Sequence, residues 1–122
     1  MPSQTEFSIV FENLKSILKP FATKLTIKFD TGENYYLDGP YSQKWKKELF
    51  FGAAQIKKNY VAFHLMPVYM YPDLLKNISP ELKKHMQGKS CFYFKKVEPL
   101  LFAELGRLTK QGLVRFIQEE NS

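Results

Sequence analysis

A chain of 122 residues, 44% apolar and 25% charged, is long enough to bury one core of its own and has the composition of an ordinary globular domain. No apolar run nears the ~20 residues that cross a bilayer, so no membrane association is expected. The net charge of +6 is spread evenly over both halves and is almost all lysine; only Arg107 and Arg115 offer the planar fork that phosphates and guanines favour, which argues against nucleic acid as a partner.

Ser3-Gln4-Thr5-Glu6 has the pattern of a capping box. Phe7, Val10, Phe11, Leu14, Ile17, Leu18 and Phe21 then recur at helical spacing, and Pro20 is expected to end the helix. Lys24 to Asp30 alternates as a strand, with Leu25, Ile27 and Phe29 on one side. Thr31 to Asn34 reads as a turn into a return strand, Tyr35 to Leu37, which Asp38-Gly39-Pro40 is expected to break. The loop Tyr41 to Lys47 holds the single tryptophan, Trp45.

Leu49 to Tyr71 is the stretch around which the rest is arranged: a hairpin turning at Lys57-Lys58-Asn59, with Asn supplying the left-handed backbone of a tight turn. Pairing Ile56 with Val61, Ala54 with Phe63 and Gly52 with Leu65 makes one apolar face. Phe51, Ala53, Gln55, Tyr60, Ala62, His64 and Met66 fall on the other, a mixed face suited to a ligand or a covering helix. Pro67 and Pro72 bracket an irregular or edge segment, and Asp73-Leu74-Leu75 starts a short helix. Ser79-Pro80-Glu81 starts another, closed by Gly88; Ser90 to Lys95 is a strand. Pro99 opens a last helix with Leu101, Leu105 and Leu108 inward and Gly112 as its C-cap, followed by a tail that adds a helical turn or strand. This order predicts an α+β fold, a two-layer sandwich with N-terminal and C-terminal helices packed on an antiparallel β-sheet, in a single domain spanning residues 1–122.

The segments FFGAAQIKKNYVAFHLMPVYMYPDLL, SPELKKHMQGKSCFYFKK and LFAELGRLTKQG resemble the YdhG-like superfamily of small bacterial domains of unknown function. The resemblance covers roughly Leu25 to Gly112 and is strongest from Phe50 to Lys96. It implies an α+β fold similar to the YjbR and secretion-chaperone-like folds. Some members carry an iron-chaperone label because they look like frataxin. That subfamily's glycine-methionine-proline stretch is not evident; Asp38-Gly39-Pro40 stands in the corresponding region. The first helix offers only Glu6 and Glu12, interleaved with Lys15 and Lys19, where a hard cation needs a ridge of carboxylates. Iron transfer is therefore discounted here.

The remaining chemistry is sparse. Cys91, the single cysteine, excludes an internal disulfide and fits a reducing cytoplasm, and the N-terminus lacks the basic start and apolar run of a signal peptide. His64 is the titratable residue of most interest, as acid/base, ligand or pH sensor, against the alternative of a packed imidazole. Cys91 and His64 would make a nucleophile and base if their strands were neighbours. With no oxyanion-hole turn and no third orienting residue, Cys91 is expected instead as a small buried hydrophobe. His85 is expected as a cation at a helix end. Two His and one Cys cannot supply a zinc tetrad, and no phosphate-binding glycine loop occurs, so neither metal nor cofactor is expected. No carboxylate pair suggests catalysis, and the chain does not read as an enzyme.

What remains is the aromatic set Tyr36, Tyr41, Trp45, Tyr60, Tyr69, Tyr71 and Tyr93, residues that offer contact area and a polar tip. The expected site is the surface around His64, Met66, Tyr69, Trp45, Tyr93 and Tyr60, holding a small ligand or a partner protein. Alternatives are the frataxin-like iron chaperone and a weak single-strand nucleic-acid binder using lysine pairs such as Lys57-Lys58 and Lys95-Lys96. An exposed edge strand also offers a surface for pairing two copies into a homodimer.

Overall fold

The helical spacing near the N-terminus is realised as α1, Gln4–Leu18, in a computed structural model that describes residues 4–42 and 46–120. Phe7, Val10, Phe11, Leu14 and Leu18 form its buried stripe, while Glu6 and Glu12 face solvent. Ser3 of the expected capping box lies outside the described residues. Pro20 lacks the amide hydrogen that an α-helix needs, and the chain tightens there into a 3-10 turn, Lys19–Lys24.

Strands β1 (Thr26–Asp30), β2 (Asn34–Ser42), β3 (Lys47–Ile56), β4 (Val61–Leu65), β5 (Met86–Gln87) and β6 (Cys91–Phe94) form a six-stranded sheet in the order β1-β2-β3-β4-β6-β5. Every pairing is antiparallel. Helices α2 (Met66–Met70) and α3 (Pro80–Lys83) lie in the crossing from β4 to β6, and α4 (Pro99–Glu120) closes the chain. The helix layer covers one side of the sheet: α1 lies on β3 and β4, and α4 packs against α1. Phe51 of β3 meets Phe116 of α4 edge-on at 5.6 Å, and Phe94 of β6 meets Phe102 at 4.9 Å. The architecture is the expected α+β two-layer sandwich.

The central hairpin has the expected register, with Ile56 opposite Val61, Ala54 opposite Phe63 and Gly52 opposite Leu65. Its turn differs from the expectation. Lys57 N–H donates to Tyr60 C=O at 2.8 Å, and among the described residues the only non-glycine with positive φ is Lys46 at 57°. Asn59 therefore closes the loop without a left-handed backbone.

A bulge overturns one facing. Leu37 pairs with Gly52 and the next residue, Asp38, with Phe50, so β3 carries an extra residue at Phe51. Phe51 and Gly52 both turn to the helix layer, Phe51 against Phe116 and Gly52 beneath Leu18. Phe50 takes the outer face expected of Phe51. A second irregularity, between Ile27 and Phe29, breaks the alternation of β1, whose residues are all exposed; the expected core face of this edge strand is not buried.

The expected break at Asp38-Gly39-Pro40 is a continuous strand. β1 ends its pairing at Asp38, so Pro40 lies where β2 has β3 alone beside it, and a missing amide is tolerated at such an edge. Gly39 is needed because a Cβ there would overlap the Phe116 ring. The segment after Pro67 is the helix α2, with the proline in its first turn where no amide is required, rather than an edge strand. Gly88, at φ +78°, turns β5 into β6 and does not close α3. Gly112 lies inside α4 and caps nothing: a Cβ there would stand 2.9 Å from Pro67 Cβ, so the glycine lets α2 and α4 approach. The Ser79 cap is as expected, its hydroxyl accepting from Leu82 N–H at 3.1 Å while donating to Glu104 of α4 at 2.7 Å.

Candidate functional site

The face of the sheet turned away from α1 and α4 carries the site. Strand register places Phe29, Tyr36, Ala53, His64 and Cys91 side by side across β1, β2, β3, β4 and β6. Two residues along, Asn34, Gln55, Ala62 and Tyr93 form a parallel row on the same face. The small Ala53 leaves a gap between Tyr36 and His64, and the Phe50 ring fills it, 4.6 Å from Tyr36 and 6.4 Å from His64. Phe29 meets Tyr36 edge-on at 5.7 Å. In the second row Tyr60 stacks on Tyr93 at 3.9 Å, and Gln55 Nε2 donates to Asn34 Oδ1 at 3.1 Å.

At the end of the first row, where α2 leaves β4, a cavity of about 680 Å³ opens. Phe29, Tyr36, Phe50, Met66, Tyr69 and Met70 line it, with Lys28, Asp38 and Glu48 among its polar groups. Lys28 Nζ lies 3.7 Å from Asp38, so these two charges offset each other. Burial, then the neighbouring Asp38 charge, pushes the Tyr36 phenol above its ordinary value, keeping it a neutral donor. Tyr69 is 54% exposed and Lys89 Nζ lies 5.9 Å from its ring centre. The volume and the lining suit a small organic molecule with a flat apolar body.

His64 and Cys91 are direct cross-strand partners, and Cys91 Sγ lies 2.7 Å from His64 Nδ1. Burial holds the imidazole below its ordinary value, and the Lys57 charge adds to this. Burial pushes the thiol up, against a Ser90 hydrogen bond and Lys57, which pull it down. Cys91 is half-buried on the outer face, which corrects the expectation of a buried core residue. The Tyr93 phenol is also raised, chiefly by its hydrogen bond with Tyr60.

The expected site residues divide. Met66 and Tyr69 line the cavity; His64 stands beside it in the aromatic row. Tyr60 and Tyr93 instead border a second, larger depression of about 1070 Å³ near the start of α1, with Ile9, Val97 and Lys95. Trp45 lies outside the described residues. His85 is not at a helix end facing solvent: its Nδ1 lies 2.8 Å from Tyr93 C=O and its ring stacks on Phe94 at 4.5 Å. Phe29, Phe50 and Met70 were missed by sequence reasoning, since the bulges that turn the two phenylalanines outward leave no mark in the alternation. Among the described residues no group of three or more His, Cys, Asp or Glu is placed to hold a metal ion, and no helix is long and apolar enough to cross a membrane. Comparison with protein-family models, with curated proteins and with solved structures finds no significant match to this chain.

Proposed function

We propose that the chain is a cytoplasmic, non-enzymatic binding module of the YdhG-like type whose ligand is a small, flat organic molecule. It lies against Phe29, Tyr36, Phe50, Met66 and Tyr69. The observation that carries this reading is the aromatic row on the uncovered face running into a cavity of about 680 Å³. Flat rings offer dispersion contact over a large area, and the thioethers of Met66 and Met70 adapt to different ligand shapes. The frataxin-like iron alternative lacks a cluster of metal-binding side chains among the described residues. Single-strand nucleic acid is the second reading, because aromatic rows on a sheet can stack successive bases and Lys89 lies over the Tyr69 ring.

A thermal-shift screen of the whole chain against aromatic metabolites, iron and short oligonucleotides tests these readings, since a ligand of the folded state raises the melting temperature. An aromatic metabolite is expected to raise it, and Tyr69→Ala, at an exposed position, is expected to shrink that shift without lowering stability. A shift with iron alone, or one with oligonucleotide that fades in salt, would replace the proposal by the corresponding alternative. For pairing of two copies through β1, where Ile27 and Phe29 are each 49% exposed, a solution mass of twice 14.3 kDa would support the dimer and 14.3 kDa would end it.

A further inference from the structure

We infer that Cys91 and His64 form a reactive thiol pair, and that Cys91 is a site of reversible mixed-disulfide formation with small disulfides. The inference is independent of what the neighbouring cavity holds. A thiol becomes a useful nucleophile when a base stands ready to take its proton. Here the base is supplied by register: His64 on β4 and Cys91 on β6 are opposite one another, and the sulfur lies 2.7 Å from Nδ1. The pair is on the uncovered face and Cys91 is only partly buried, which leaves a small disulfide a route to the sulfur.

Burial acts most strongly on both groups, holding the imidazole down and the thiol up, and the charge of Lys57, on the turn between β3 and β4, acts on both in second place. From β3 the pair meets Ala53 and Phe50, which carry no charge; from β6 the next titratable group is Tyr93, whose phenol responds to Cys91.

In the step, neutral His64 takes the thiol proton on Nδ1 as Cys91 Sγ attacks the nearer sulfur of the disulfide. The new Cys91 S–S bond forms as the old S–S bond breaks, and the departing thiolate takes the proton from the imidazolium. One thiol and one disulfide enter, and one mixed disulfide and one thiol leave. The chain has no second cysteine to resolve the adduct, so an external thiol must remove it.

The single cysteine makes the test unambiguous: reaction of the native protein with the dianionic dithiobis(nitrobenzoate) and the uncharged dithiodipyridine, followed against pH. The wild-type rate is expected to climb once below pH 6.5, as His64 loses its proton, and again above 9.0, as the thiol ionises unaided. His64→Gln is expected to lose the first rise and to react about tenfold more slowly at neutral pH with both reagents. A single rise above 9.0 in the wild type, which requires no substitution, would overturn the pair; so would an unchanged rate in folded His64→Gln.

Discussion

His64 is neutral in the fold because burial disfavours its charged form, and it has an acid-side consequence for stability. The unfolded chain binds the imidazole proton near the ordinary value of 6.5; the folded chain binds it only at lower pH. Between these values the unfolded state holds more protons, so stability is full above pH 6.5 and falls as the pH drops through the depressed folded value. Urea melts on either side of pH 6.5 are expected to show this decline, and His64→Gln to flatten it; an identical slope in the variant would contradict the account. The sequence marked His64 out by its position in the hairpin. It did not reveal that Cys91 would lie against it, because the β4–β6 contact spans α2 and α3, and only the assembled register brings the two together. Phe50 was hidden for a local reason, the extra residue that turns Phe51 to the core.

At the scale of elements, two glycines in α4 make opposite predictions. A glycine inside a helix gives up about 0.5–1 kcal/mol relative to alanine. At Gly106 a Cβ would meet nothing within 4 Å, so Gly106→Ala is expected to stabilise by about that amount. At Gly112 a Cβ would meet Pro67 at 2.9 Å and 3.3 Å, and Gly112→Ala is expected to destabilise by about 1–3 kcal/mol. Thermal melts of the two variants should therefore move in opposite directions, and parallel shifts would refute the close approach of α2 to α4. The spacing of apolar residues made α1 and the start of α4 legible, and Ser79-Pro80 marked α3 correctly. Gly112 and Asp38-Gly39-Pro40 were misread as stops because each glycine answers to a distant ring, Pro67 or Phe116, and not to the local backbone. Tertiary packing decided both.

For the whole molecule, the order of helices and hairpins sufficed for the α+β sandwich, since each amphipathic element has one apolar side to bury. Which sheet face would stay uncovered was not legible, and the function depends on it. Both faces of the hairpin carry sealed residues, Phe63 and Leu65 toward the helices, Ala53 and Ala62 away from them, so burial pattern alone did not separate them. The outer face differs in being built from aromatic rings in contact, and it is on this face that we propose the ligand binds. The most direct test of that claim is a fluorescence titration of the folded protein with anilinonaphthalene sulfonate, a flat dye that brightens on apolar surface. Native wild type is expected to bind it saturably, with affinity falling about tenfold in the Phe50→Ala, Tyr69→Ala double variant. No brightening with the folded protein, or equal binding by the variant, would contradict the assignment of this face as the site.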